Sequence, residues 1–240
     1  MNTRDPADGS GSELAVRLAD VARELHEQDD PQRTLDSIVA AAVGTIPGAV
    51  HAGVMVVDQG EVRTVAVTGE VPAAIDQAQY ETGQGPCLQA LLEQNLVSTP
   101  DLDSETRWPA FAARARASEV SSMLSFRLYA RGSDVGALNL YASTAHAFDE
   151  ESEHVGRLFA EHAAVALANA QQRAHLAEAV RTRDLIGQAK GILMERHKLT
   201  ADQAFTLLVR ASQRTNSKLR DLAEELTTTG SLTVEANRRA

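Results

Sequence analysis

Lys190, Arg210, Arg214, Lys218 and Arg220 stand among Ser212, Gln213 and Asn216 in the last quarter of this 240-residue chain. Cations of this kind neutralise phosphates, and the polar side chains between them can reach the edges of exposed bases, so the set suits a polyanion. Arg210, Gln213 and Arg214 are spaced by three and four, which puts them together on one side of a helix. Asn216 and Lys218 fall where a following helix is expected to start, and free backbone N–H groups there also favour phosphate. Without a motif, the plainer account of such a cluster is a solvated charged face.

The charge distribution supports a special role for this region. The whole chain carries −10, but residues 1–177 sum to −13 and residues 178–240 to +3. All three lysines, Lys190, Lys198 and Lys218, lie in the second part. Such asymmetry points to two modules with different partners. Lys190 sits in DLIGQAKGILMERHKL between Gly187 and Gly191. Each glycine costs a helix roughly 1 kcal/mol relative to alanine. Small residues at 187, 189 and 191 would let another helix or a nucleic-acid backbone approach, and the two glycines are read as packing residues more than as recognition residues.

Other chemistry-bearing patterns are weaker. GQGPCL at 83–88 begins like a phosphate loop but lacks the further glycine and the lysine, so a turn before a short helix is expected. Glu151-x-x-His154 is a single pair, whereas a di-metal bundle needs two plus further carboxylates; no metal site is expected. Cys87, the only cysteine, cannot form an internal disulfide, and a small buried hydrophobe is its commoner role. Met55, Tyr80, Cys87, Trp108, Phe126 and Tyr141 are candidates to line a small-molecule pocket or to fill a core. No Ser/His/Asp or Cys/His set has a context that favours catalysis.

The elements that must position these residues follow from periodicity. Residues 1–12 are polar and rich in Gly, Ser and Asp, and read as a disordered lead-in with no signal-peptide h-region. Leu14, Leu18, Val21, Ala22 and Leu25 mark a helix over 13–28, and Pro31 opens a second to about 46. AVHAGVMVVD and EVRTVAVTG around Gln59-Gly60 predict a hairpin with Val62, Thr64, Ala66 and Thr68 on one face. Short helices are expected at 72–79, 87–94 and 109–118, a strand near 95–99, and a second hairpin about Arg131–Asp134. A long Ala-rich helix starts near 149. Strands that are mostly antiparallel neighbours, mixed with helices, indicate an α+β domain over 13–170.

Along the long helix, Val155, Leu158, His162, Val165, Asn169, Gln172 and Leu176 recur at alternating steps of three and four. This is the spacing of a parallel coiled-coil seam over 149–190, with Asn169 and Gln172 as register-setting polar positions. A helix packing one face on its own sheet has the same spacing. Three helices follow over 178–230: about 178–197, then Thr200 as N-cap with Gln203 in the capping-box position, then about 217–229 ending at Gly230. The second of these has Ala204, Phe205, Leu208 and Val209 as its apolar face; residues 231–240 are a tail.

The stretch IGQAKGILMERHKLTADQAFTLLVRASQRTNSKLRDLAEEL closely resembles the ANTAR module, a three-helix RNA-binding domain of bacterial antitermination regulators. The resemblance covers about 183–230 and rests on Ala-Lys-Gly-Ile-Leu-Met, Ala-Phe-x-x-Leu-x-x-x-Ser and Asn-x-Lys-Leu-Arg-Asp; Lys198 stands where a glycine is frequent. Residues 13–170 more loosely resemble a GAF sensor domain, through element order and the phrases TGQGPCLQAL, DLDSETRWPAF and VGALNLYA. The arrangement is similar to actinobacterial GAF–ANTAR proteins. It implies a cytoplasmic regulator that binds paired RNA hairpins in transcript leaders, and the seam along the long helix adds the expectation of a homodimer. The RNA contacts would come from the cations and polar residues named above, with Gly191 beside Lys190. It also implies a small-molecule ligand in the sensor, of unknown identity. A DNA-binding regulator with a helix-turn-helix is the alternative reading, and an enzyme acting on a nucleotide is disfavoured.

Overall fold

The computed structural model describes residues 7–28, 30–58, 61–92, 96–130 and 133–231. The chain divides into two compact units, Met1–Arg173 and Ala174–Ala240.

In the first unit, five strands form one antiparallel sheet in the order β2-β1-β5-β4-β3. They are β1 (His51–Asp58), β2 (Glu61–Val67), β3 (Leu96–Thr99), β4 (Ser122–Ala130) and β5 (Ser133–Ala142). Both expected hairpins are present, as β1–β2 and β4–β5, although their turn residues 59–60 and 131–132 lie outside the described residues. Helices α1 (Ala7–Glu27) and α2 (Pro31–Thr45) precede the sheet. α1 therefore already includes residues 7–12, expected as a disordered lead-in; residues 1–6 lie outside the described residues. Asp30 caps α2 by accepting from the Arg33 N–H, with Pro31 at its first position, where the absent N–H costs nothing.

Period-two alternation divides the strand residues between two cores. Val54 on β1, Leu124 and Phe126 on β4, and Leu138 and Leu140 on β5 pack with Ile38 of α2 and with Val155 and Phe159 of α6 (Glu150–His197). Met123 and Tyr141 point the other way, into a core with Ile75 of α3 (Glu70–Thr82) and Phe111 of α5 (Pro109–Ala115). Met55 and Ala137 pack with Cys87 and Leu91 of α4 (Pro86–Leu92). A sheet covered by helices on both faces buries both sets of side chains, so its strands read as near-continuous apolar runs.

One expectation about β2 is corrected. Val54 pairs with Ala66 but Met55 with Thr64, so Val65 is an extra residue in β2. Such a bulge shifts the alternation by one. Ala66 joins the core with Val54, whereas Val62 packs beside Met55 and Thr64 reaches Asp76 of α3. These residues do not share one face.

In the second unit, the later part of α6 joins α7 (Ala201–Thr215) and α8 (Leu219–Thr229). Ala189, Leu193, Ala204, Leu208, Leu222 and Leu226 form its core. The long helix and the first terminal helix, whose expected ranges overlap, are one continuous helix, as α6 runs unbroken to His197. The capping box at Thr200 and Gln203 is complete in both directions. α7 ends with Asn216 in the left-handed conformation (φ 52°) and α8 with Gly230 (φ 71°). Lys198 is left-handed as well (φ 52°), which explains why a glycine suits that position better than its extra charge would suggest.

Candidate functional site

The candidate nucleic-acid residues converge in part. Arg210, Gln213 and Arg214 are all exposed on α7, as their spacing predicts. Lys190 is half-buried on α6, and its ammonium stands 5.8 Å from the centroid of the Phe205 ring. Gly191 is exposed. A methyl group built at Gly187 or at Gly191 would meet nothing within 4 Å. Neither glycine is needed for packing against the described residues of this chain, and the space above both is open to an approaching helix or nucleic-acid backbone.

Other members of the set have structural work. The Ser212 hydroxyl donates to the Ser217 carbonyl at 2.7 Å and closes the α7–α8 connection. Asn216 belongs to the end of α7, where its N–H bonds the Ser212 carbonyl, and not to the start of α8. Lys218 is exposed at the N-cap of α8 and makes no side-chain capping bond. Arg220 is ion-paired with Glu178 and, at 3.2 Å, with Asp221. The hydrogen bond from Arg220, aided by the charge of Arg181, holds the Glu178 carboxyl below its ordinary range.

Sequence reasoning missed Phe205. It was expected on the buried face with Ala204 and Leu208, but it is 41% exposed. The buried positions are 204, 208 and 211, and residue 205 lies about a quarter of a turn away from that line. It lines a groove of about 690 Å³ together with Glu178, Arg183, Gly187 and Lys190.

The long-helix seam also divides. Val155 is in the core of the first unit and Leu158 packs against it. Both therefore face their own sheet, because a helix-on-sheet stripe and a coiled-coil seam share the same three-and-four spacing. His162, Val165, Gln172 and Leu176 are exposed, and Asn169 is half-buried.

The pocket candidates of the first unit fall into two groups. Met55, Tyr80 and Cys87 pack together, and Trp108 and Tyr141 lie in the core around Phe111 on the same side of the sheet. Phe126 is on the opposite side, against Gly156 of α6, where an added Cβ would strike its ring. Even-numbered β4 residues face α6, so Phe126 cannot join the others.

Between those groups lies a buried polar cluster centred on Asp76, which sequence reasoning also missed. The signal was available: Pro72, Ile75, Asp76 and Gln79 are all buried and fall at i, i+3, i+4 and i+7 of α3. Tyr141 donates to Oδ1 of Asp76, as do the side-chain amides of Asn139 and Gln79, each at 3.3 Å. Thr64 donates to Oδ2 at 2.8 Å. Having given its single hydroxyl proton to Asp76, Thr64 must accept from Tyr80, 2.7 Å away. Gly53 makes room, since a Cβ there would come within 3.3 Å of Asp76 Oδ2.

Burial pushes the Asp76 carboxyl up to about 6, although its four donors favour the charged form. Burial, with the nearby Asp76 charge, also pushes the Cys87 thiol and the Tyr141 phenol up. Cys87 is thus a poor nucleophile, since the thiolate is the reactive form. Asn139 Oδ1 and Ser125 Oγ are buried on this side of the sheet without a hydrogen-bond partner among the described residues. No group of three metal-ligating side chains occurs among the described residues.

Comparison with known proteins follows this division. A family model described as a GAF domain matches residues 28–168, and one described as an ANTAR domain matches residues 174–226. No curated protein matches the chain. Among solved structures, the free methionine-R-sulfoxide reductase of Neisseria meningitidis in complex with its substrate is 18% identical over 72% of this chain and 96% of its own, with TM-score 0.55. The GAF domain of a phosphoenolpyruvate-protein phosphotransferase from Coxiella burnetii is 17% identical over 68% and 96%, with TM-score 0.53. Its Acinetobacter counterpart is 14% identical over 66% and 94%, with TM-score 0.52. At these identities the likeness is one of fold. No described helix is long and apolar enough to cross a membrane.

Proposed function

The chain belongs to the GAF domain family and carries an ANTAR domain behind it, and from that premise we propose that it is a signal-responsive regulator of transcription antitermination. Its second unit binds paired hairpins in transcript leaders and so favours an RNA fold incompatible with a terminator. The observation that carries this reading is the exposed set Arg210, Gln213, Arg214 and Lys218, with Lys190 and Gly191 on α6, within the ANTAR match. These groups supply charge for phosphate and hydrogen bonds for unpaired bases.

The GAF domain senses a small molecule in the cytoplasm. The unpartnered Asn139 Oδ1 and Ser125 Oγ beside Asp76 support a polar ligand on that side of the sheet. Its regulatory domains fit a binding protein, and the sole cysteine, buried with its thiol pushed up, is poorly suited to thiol chemistry. A second copy pairs along the exposed apolar residues of α6, Leu176 and Val180, which are 59% and 52% exposed.

A gel-shift comparison of a double-hairpin leader RNA with duplex promoter DNA tests the reading. RNA is expected to shift at the lower protein concentration. Preference for the duplex would instead establish the DNA-binding alternative.

A further inference from the structure

Phe205 presents an aromatic ring to an open groove whose surface is largely apolar, with two cations, Lys190 and Arg183, in its lining. Lys190 stands over the ring, and Arg183 and His175 also line the groove. The single acid in that lining, Glu178, is already paired with Arg220 and with Arg181. The part of the lining at Gly187 would accept a methyl group without meeting any atom. Nothing in the core requires the ring, because Ala204, Leu208 and Ala211 fill the buried face of α7. Leaving so much phenyl surface in water is unfavourable by itself.

We propose that Phe205 is a stacking platform for one unpaired base of the bound RNA, with the Lys190 ammonium pairing the adjoining phosphate. An aromatic face beside a cation matches the two recurring parts of a single-stranded nucleotide, its π-face and its charge. The lysine at 5.8 Å is near the outer limit of a cation–π contact, so little is lost when it turns to a phosphate. The Lys190 ammonium beside the ring favours a base that carries a phosphate over an apolar peptide. The assignment rests on the RNA-binding reading and adds to it a specificity element: a base held on Phe205 must be unpaired.

The test uses the full chain and hairpin RNAs carrying 2-aminopurine at each loop position in turn. Wild-type protein is expected to quench the probe at one position. Phe205→Leu should lose the quench and about 5- to 150-fold in affinity, the range found when base–aromatic stacking is removed. Its salt dependence should stay unchanged, because no charge is lost. Phe205→Trp should restore both quench and affinity, and Lys190→Gln should flatten the salt dependence by roughly 0.7 in log–log slope. Thermal unfolding by circular dichroism verifies that Phe205→Leu is folded.

Unchanged affinity and quench in Phe205→Leu would overturn the stack. So would a Phe205→Leu protein that loses dimerisation in ultracentrifugation while binding RNA as well as before, since a second copy would then cover the groove. Wild-type protein that binds none of the hairpins would remove the RNA-binding reading itself, and the stack with it.

Discussion

Arg220 at the start of α8 is ion-paired with Glu178 of α6, so one cation of the proposed RNA-binding set is already engaged by an acid of its own unit. Phosphate must displace that acid to reach Arg220. Both side chains are more than a third exposed, so water screens the pair and it adds little stability, and the exchange is a contest of anions for one guanidinium. Glu178→Gln should therefore bind hairpin RNA more tightly and steepen log Kd against log salt by about 0.7, one added phosphate contact. The same substitution in an Arg220→Gln background should have no such effect, since the two act through one contact. Equal steepening in both backgrounds would mean that Glu178 acts only through overall charge.

Gly187 combines a cost in helix stability with open space above it. Gly187→Ala should raise the unfolding free energy by roughly 1 kcal/mol, the usual helix-interior difference. The new methyl enters the groove lined by Phe205 and Lys190, so RNA affinity should fall. Urea unfolding and RNA titration of the same preparation give the two numbers. A stabilised variant with unchanged RNA affinity would show that RNA does not approach this turn of α6.

Asp76 makes the stability of the GAF domain depend on pH in a direction opposite to most carboxylates. Its folded-state pKa is raised from 3.8 to about 6 by burial, so the folded state binds the proton more tightly than the unfolded chain. Its contribution is fully present below about pH 4 and is lost as pH rises through about 6. The size is on the order of 2–3 kcal/mol, at 1.36 kcal/mol per unit. Denaturant unfolding between pH 4 and 7, compared between wild type and Asp76→Asn, isolates the term. The difference in stability between the two proteins should shift in favour of the variant as pH rises; a constant difference would place the folded pKa near its ordinary value.

The helices of the second unit were legible because their ends are written locally. Thr200 and Gln203 specify a capping box within four residues, and Gly230 terminates α8 through a conformation open to glycine. Element order in the first unit was legible for a similar reason, since β-branched runs and Pro31 act over a few residues. The faces were less so. The bulge at Val65 depends on how β2 meets β1, and nothing within β2 alone announces it. Asp76 lay on the buried stripe of α3, but an acid there makes sense only beside Tyr141, Asn139 and Thr64, from two different strands.

The sequence by itself determined two modules, an α+β GAF domain and a three-helix ANTAR domain, along with the residue types available for RNA. Local periodicity and capping depend on neighbours three or four residues away, and those neighbours are present in the string. Only the tertiary structure decided which of those residues are free to act. It turned Phe205 outward, engaged Arg220 with Glu178, placed Phe126 across the sheet from Tyr141, and left the space beside Gly187 and Gly191 open. Exposure and pairing are set by groups distant in sequence, and so no spacing rule along one helix could have assigned them.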